Sequence, residues 1–140
     1  MTNFIMPSDQ LTDHDYRTLA AIRYELRRFI HFTEAAARSA GLTPQQHQAL
    51  LGIRAADKSA LSIGELAEFL TVRPHSASEL ADRLAALGLV GRRPDATDRR
   101  VMKLHLTEAG EAALLSLSVT HRDEVRRLRP LLSELLVKLD

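Results

Sequence analysis

An apolar seam in the first third of the chain places the strongest limit on how this sequence can fold. Between residues 19 and 40, apolar or small residues recur at alternating spacings of three and four, and Gly41 follows them. This spacing predicts one face of a long helix that starts near Thr12 or Asp13 and ends at Gly41. A helix of about 28 residues is longer than the core of a small domain needs. The seam therefore favours an interface with a partner helix over an ordinary core-facing stripe.

The composition agrees with a helical protein of one domain. The chain has 140 residues, of which 45% are hydrophobic and 26% are charged, proportions that are typical of globular proteins. Aromatic residues make up only 4% and Trp is absent, so the core must consist mostly of Leu and Ala, which favours helices. Because there is no Cys, disulfides, thiolate nucleophiles and cysteine-ligated zinc are excluded.

No stretch of the sequence suits a membrane or a secretory signal. The longest run without Asp, Glu, Lys or Arg covers residues 39–53, which is too short to span a bilayer. The first ten residues have neither a Lys or Arg nor an apolar region, so they do not resemble a signal peptide. We expect a cytoplasmic protein without a membrane partner.

Two short helices separated by a tight turn are predicted in the middle of the chain. Ser62 and Glu65 form a capping box that opens the first, as Thr43 and Gln46 do for the helix before it. Residues 71–73 are enough only for a tight turn. A second helix then runs from Pro74 to about Leu87 and stops at Gly88. This arrangement is typical of a helix-turn-helix.

After Gly88 the hydrophobic period changes from that of a helix to that of a strand. Residues 89–92 and 101–106 predict two short strands, and residues 93–100 between them have the composition of a hairpin tip with exposed arginines, in other words a wing. Thr107 then caps another helix. Pro130 predicts a kink or a break in that helix, and a leucine-rich final helix follows.

The order of these elements resembles the MarR family of bacterial transcription regulators. Three stretches carry the resemblance: Leu66-Ala67…Leu70, then Leu80-Ala81-Asp82-Arg83-Leu84…Gly88-Leu89-Val90, and finally residues 94–100 followed by Leu104-His105-Leu106-Thr107-Glu108-Ala109-Gly110. The wing sequence and the Leu-Thr-x-x-Gly after it are the most specific part. The resemblance covers residues 12–140.

The resemblance implies a mainly α fold, a winged helix-turn-helix whose N- and C-terminal helices form a dimerisation domain. Residues 1–11 are then a flexible arm, residues 12–41 and 108–140 the helical dimerisation region, and residues 42–107 the DNA-binding domain. The partners implied are a second copy of the chain, double-stranded DNA with an inverted repeat, and a small, often aromatic, effector that releases the DNA. The candidate dimer contacts are Leu19, Ile22, Leu26, Leu128, Leu132, Leu135 and Leu139.

Candidate DNA contacts cluster in one quarter of the chain. Residues 71–105 hold seven basic and four acidic residues, a net charge of +3, whereas the rest of the chain has a net charge of −2. Helix residues beside the turn suit base edges in the major groove, and basic side chains suit phosphates. The candidates are Arg73, His75, Ser76, Ser78, Glu79, Arg83, Arg92, Arg99 and Arg100. The alternative is a solvated face without a partner.

Several of these residues have a structural alternative. Glu79 would repel phosphates unless it accepts a hydrogen bond from cytosine, and Arg83 could pair with Glu79 instead of with DNA. Arg99 and Arg100 at the wing tip suit the minor groove, with Asp98 to hold or orient an arginine; a solvated turn with local ion pairs is the alternative. Of Arg92 and Arg93 at the wing base, one is expected to support the wing.

The remaining functional predictions concern small ligands and catalysis. Phe29, His31, Phe32, His47 and Leu51 could line an effector pocket, although the sequence favours core packing as their role. The six histidines are scattered, so a metal-responsive regulator stays open as an alternative. No enzyme motif is present and no cofactor is expected. A winged-helix dimer that binds another protein is the remaining alternative, but a wing tip rich in arginine and without aromatic residues favours DNA.

Overall fold

The computed structural model describes residues 10–139, which form five α-helices and three short strands. The predicted arm lies outside the described residues except for positions 10 and 11, which are neither helix nor strand. The elements in chain order are α1 (Asp13–Ser39), α2 (Pro44–Ala55), β1 (Ala60–Leu61), α3 (Ile63–Leu70), α4 (Pro74–Ala86), β2 (Val90–Pro94), β3 (Met102–Leu106) and α5 (Glu108–Val137). This mainly helical fold with a winged helix-turn-helix confirms the predicted fold class.

The chain divides into two compact units, and α1 and α5 contribute residues to both. One unit consists of Met1–Phe32 and His121–Asp140, and we call it the terminal unit. The other, Thr33–Thr120, holds α2, α3, α4 and the sheet, and we call it the winged-helix unit. The boundaries fall inside the two long helices.

A leucine-rich core holds the winged-helix unit together. Its largest fully buried side chains come from each helix of the unit's centre and from the sheet: Leu50, Ile53, Leu66, Leu84 and Leu104. Leu114 and Leu117 of α5 join the same cluster. Burying each such side chain stabilises the fold by about 1.5–3 kcal/mol, so this core fixes where α3 and α4 lie relative to the sheet.

Local sequence signals set the ends of the short helices, as predicted. Thr43 Oγ accepts a hydrogen bond from the backbone N–H of Gln46 at 3.1 Å, and the Gln46 side chain accepts from the Thr43 N–H at 3.0 Å. Ser62 and Glu65 repeat this reciprocal cap at the start of α3. Between α3 and α4 the turn is made by Thr71 in the left-handed conformation, with φ of 56°.

The three strands form an antiparallel sheet with β3 in the centre. In the wing hairpin, Val90 lies opposite Leu106 and Arg92 opposite Leu104, while Leu61 of β1 pairs with Leu104 from the other side. The strand β2 runs further towards the tip than predicted. It begins at Val90, and just before it the Leu89 carbonyl accepts from the backbone N–H of Thr107 at 3.0 Å.

The Leu-Thr-x-x-Gly motif joins both ends of the wing to the start of α5. Thr107 Oγ donates to the Gly88 carbonyl at 2.6 Å and accepts from the Gly110 N–H at 3.1 Å. A Cβ added at Gly110 would lie 2.1 Å from the Leu89 carbonyl oxygen. Position 110 therefore requires glycine, because the backbone of Leu89 lies too close to leave room for a side chain. Gly88, with φ of +75°, ends α4 in the conformation that glycine adopts most easily.

The terminal unit consists of one segment of α1 and one of α5. Thr12 and Asp15 cap α1 reciprocally, which confirms the predicted start. Within this unit Leu128 is buried by its own chain, and Arg127 lies 2.7 Å from Glu124 and 3.9 Å from Glu25 of α1.

Of the kink or break predicted at Pro130, the break is wrong, since α5 continues through this residue to Val137. Proline removes one N–H, which leaves the carbonyl of Arg126 without its helical donor. Both Arg126 and Pro130 are exposed, so water can bond to that carbonyl and the proline ring needs no space in the core. Among the described helices, none is long and apolar enough to cross a membrane.

The close approach at Gly110 predicts a large effect of a single methyl group. Gly110→Ala should lower the free energy of unfolding by about 1–3 kcal/mol, because the Leu89 carbonyl belongs to the backbone and cannot rotate away. The matched control is Gly64→Ala in α3, where the nearest atom to an added Cβ is 3.9 Å away. Denaturant unfolding of the three proteins is the measurement. Equal stability of the Gly110 variant and the native chain would contradict this interpretation.

Candidate nucleic-acid interface

All of the predicted DNA contacts lie in the winged-helix unit, on α4, at its entrance or on the wing. The inner face of α4 buries Ala77, Leu80, Ala81 and Leu84. Because these four fix the rotation of the helix, the predicted contacts on its other side are exposed: His75, Ser76, Glu79 and Arg83, with Arg73 before the first turn. Ser78 is half-buried at the border. The structure thus brings together a polar helix face with free access from solvent.

One contact between side chains joins two residues on the exposed face of α4. His75 Nε2 lies 3.3 Å from Glu79 Oε1, one helical turn along. The sequence left open a pair between Glu79 and Arg83; the structure joins Glu79 to His75 instead. Arg83 is exposed on the same helix one turn further on, and its contact with phosphate stays a prediction.

Two aspartates shape the wing tip. Asp95 accepts hydrogen bonds from the backbone N–H groups of Thr97 and Asp98 at 3.2 and 3.0 Å. Asp98 Oδ1 accepts from Arg100 Nε at 3.0 Å, and Oδ2 accepts from the Arg100 guanidinium at 3.2 Å. This confirms that Asp98 orients an arginine. The Arg100 side chain nevertheless stays 90% exposed, and Arg99 beside it is exposed too.

These hydrogen bonds favour the ionised form of both carboxyl groups. The Arg100 side chain is the main cause that lowers the pKa of Asp98 below its ordinary value, and the backbone N–H of Arg100 adds to it. For Asp95, the backbone N–H groups of Asp98 and Thr97 lower the pKa. The wing tip therefore keeps its shape at neutral pH.

Two further ion pairs tie the wing to the helix-turn-helix. The Arg92 guanidinium of β2 lies 2.6 Å from Asp82 Oδ1 of α4. Lys103 of β3 bonds to Glu65 of α3, which is the main cause that lowers the pKa of Glu65 and raises that of Lys103. Arg92 thus supports the wing, as expected of one of the two arginines at its base; its contact with DNA stays a prediction.

Sequence reasoning missed Asp82, Glu65 and Lys103 as members of this surface. The sequence assigns Glu65 only to a helix cap. Glu65 has both roles, since one carboxylate oxygen accepts from both the Ser62 N–H and the Lys103 ammonium. The sequence signal that could have identified them is opposite charge. Each pair joins an acidic residue to a basic one, and a winged helix places their elements side by side.

The predicted effector residues are divided between the two units. Phe29, His31 and Phe32 belong to the terminal unit, where the Phe32 ring meets His121 edge-on with centroids 6.5 Å apart. In the winged-helix unit His47 is buried and Leu51 is 43% exposed. Among the described residues, no group of three or more His, Cys, Asp or Glu is arranged to hold a metal ion.

The predicted dimer contacts lie in the terminal unit. Leu19 and Leu26 are 40% and 43% exposed, and Leu139 is exposed near the end of the chain. Ile22, Leu132 and Leu135 are half-buried, whereas Leu128 is already covered by its own chain. The seam therefore leaves large apolar side chains in solvent.

Comparison with known proteins agrees with this geometry. The sequence profile of the MarR family matches residues 40–101. The HTH-type transcriptional repressor MdtR of Bacillus subtilis (strain 168) is 35% identical over 71 residues, which cover 51% of this chain. The match spans 44% of the repressor's own length, less than half of it.

Solved structures of similar fold cover more of the chain. A MarR family transcriptional regulator from Silicibacter pomeroyi is 29% identical with a TM-score of 0.63, over 76% of this chain and 70% of that one. MepR, a transcription regulator of the Staphylococcus aureus multidrug efflux pump MepA, is 18% identical with a TM-score of 0.70, over 85% of this chain and 96% of that one.

The fold and the wing define the class of this protein as a winged helix-turn-helix protein. Over residues 40–101 the chain is similar to the MarR family, which confirms the resemblance predicted from the sequence.

The wing tip predicts a specific change in titration. Arg100→Ala should raise the pKa of Asp98 towards its ordinary value of 3.8, because its main stabilising hydrogen bond is removed. Since the pKa is lowered in the fold, the bonds of Asp98 are complete above pH 3.8 and are lost only as the pH falls through the lower folded value. Side-chain carboxyl NMR shifts measure this, with Asp95 as internal control. An unchanged titration of Asp98 would contradict the assigned contact.

Proposed function

We propose that this protein is a sequence-specific DNA-binding transcription regulator, a repressor, which binds an inverted repeat as a homodimer. The observation that carries the proposal is the exposed polar face of α4 beside a wing with exposed arginines at its tip. A recognition helix of this kind reads base edges in the major groove, while a slim guanidinium suits the narrow minor groove. The name of the MdtR relative supports the repressor role.

DNA is a better partner for this surface than another protein. A wing that docks a protein would carry apolar or aromatic groups at its tip, whereas residues 93–100 have three arginines and no aromatic residue. The net charge of +3 over residues 71–105 also favours phosphates. Selection of bound fragments from a random DNA pool tests the proposal directly. It should return an inverted repeat with half-sites about 10 base pairs apart between centres.

The proposal includes release of DNA by a small aromatic effector, which the resemblance to the family implies. In the terminal unit, Phe29 is half-buried and the exposed Phe32 ring has one edge towards His121. Aromatic side chains of this kind suit stacking on an aromatic ligand. The candidate effector residues in the winged-helix unit are His47 and Leu51.

The wing arginines should contribute to affinity through phosphates and the minor groove. Arg99→Ala combined with Arg100→Ala should weaken binding to every sequence, blunt a preference for A·T pairs at the operator flanks, and reduce the salt dependence by about one power of salt concentration for each lost phosphate contact. Fluorescence anisotropy at several salt concentrations measures all three effects.

The matched control removes two arginines from the terminal unit, Arg122→Ala with Arg126→Ala. These side chains flank Asp123 at 3.7 and 3.9 Å and are not among the predicted DNA contacts. The control should bind DNA like the native protein. If the wing variant binds as tightly as the control, with its fold intact by circular dichroism, the wing does not contact DNA.

The exposed apolar seam should make the chain an obligate dimer. Leu135→Glu or Ile22→Glu should dissociate or unfold the protein, because each change places a charge in a large apolar interface. Ser133→Glu, an exposed position on the same helix, is the control and should leave the assembly intact. Sedimentation at micromolar concentration is the measurement. A folded native monomer under these conditions would refute the dimer.

A further inference from the structure

The pair formed by His75 and Glu79 differs from every other acidic contact on α4 and the wing. Asp82 is held by Arg92, Asp98 is held by Arg100, and Asp95 accepts from backbone N–H groups. Glu79 alone among these four acids is paired with histidine, at 3.3 Å. Arginine stays charged at all working pH values, whereas an imidazole gains and loses its proton near pH 6.5. The charge balance of this pair therefore depends on pH.

The position of the pair makes that charge balance important for DNA. His75 and Glu79 are 85% and 59% exposed on the side of α4 that is opposite its buried stripe. A bare carboxylate at this place would be repelled by phosphates. With His75 protonated, the pair is neutral overall, and the imidazolium lies 3.3 Å from one oxygen of Glu79. The other oxygen remains available as an acceptor.

The chemistry of the base edges selects a partner for that free oxygen. Cytosine presents an amino donor in the major groove, and carboxylates accept from it. Adenine also presents an amino group, but its N7 acceptor stands beside it and repels a carboxylate. Glu79 in this pair is therefore suited to cytosine.

We propose that His75 and Glu79 form a proton-linked base-reading pair. On DNA binding, His75 of each protomer takes up a proton and donates to Glu79, and Glu79 accepts from the amino group of a cytosine in each half-site. This inference rests on the proposed DNA-binding function and deepens it. Because the bound form holds more protons than the free form, affinity rises as the pH falls through the range of imidazole titration.

The other charged groups near the pair do not account for the proposed pH dependence of DNA binding. On α4 and just before it, the other charged groups are Arg73, Asp82 and Arg83, of which Asp82 is held by Arg92. On the elements packed against α4, Glu65 of α3 is held by Lys103, and Glu68 of α3 and Arg93 of β2 are exposed. None of these other groups titrates between pH 6 and 8 at its ordinary value.

The experiment measures the affinity for the selected operator and its single-base variants between pH 6 and 8, at constant salt. The native protein should gain on the order of 10-fold in affinity from pH 8 to pH 6. His75→Gln should lose that gain and keep the cytosine preference, because its amide still donates to Glu79. Glu79→Gln should also lose the gain and switch the preference from cytosine to adenine at that position, on the order of 10-fold, since a glutamine amide pairs with adenine.

Two controls separate this effect from others. His14→Gln changes an exposed histidine of α1 that is not among the candidate site residues, and it should keep the full pH dependence. Arg83→Ala should weaken binding to all sequences alike, with the same pH dependence, because a phosphate contact carries no base information. The side chains substituted in the two test variants and in the two controls are all exposed, so circular dichroism should report an unchanged fold.

The outcomes distinguish this inference from the proposed function. If the native protein has no sequence preference at any pH, the proposed function fails and the inference fails with it. If it selects an operator but His75→Gln retains the pH dependence, or Glu79→Gln leaves every base preference unchanged, the base-reading pair is refuted while the DNA-binding function stands.

Discussion

The winged-helix unit depends on one close backbone contact, where α5 begins against the end of α4. The Leu89 carbonyl accepts from the Thr107 N–H at 3.0 Å and touches Gly110, while Thr107 Oγ bonds to the Gly88 carbonyl. Gly88 ends α4 at this point, β2 leaves from it, and β3 returns to it. Because these bonds hold both ends of the wing against the start of α5, the hairpin tip can extend into solvent while the base of the wing stays fixed. A residue larger than glycine at position 110 would open this closure.

Charge pairs then orient the wing relative to the two helices of the helix-turn-helix. Arg92 reaches Asp82 of α4, and Lys103 reaches Glu65 of α3, so each wing strand is tied to one helix. Exposed pairs of this kind contribute little to stability, about 0–1 kcal/mol each. Their effect is one of position, because they set where the wing tip lies relative to the exposed face of α4, and we propose that both contact DNA. Arginines that hold the wing in place and arginines proposed to contact DNA thus lie within a few residues of each other.

Much of the fold was predictable because its signals are local. The capping boxes at Thr43 and Ser62, the glycine at Gly88 and the change of period after it all act within a few residues of the chain, and the structure confirms each of them. A kink or a break was predicted at Pro130 on the same basis, and the break is wrong, since an exposed proline in a long helix costs one hydrogen bond that water replaces. The residues of the candidate site were predictable as a surface, because the buried stripe of α4 fixes which side chains point outward.

The ion pairs between different helices and strands could not be predicted from the sequence. The sequence by itself determined the order and type of the elements, the rotation of α4 and the arginine-rich wing tip, because these follow from hydrophobic period and turn residues. Only the tertiary structure decided that Arg92 pairs with Asp82 and that Glu65 both caps α3 and binds Lys103. The physical reason is that an exposed charge has several possible partners within reach of its flexible side chain. Which one it meets depends on distances between elements that the core and the Gly110 contact set.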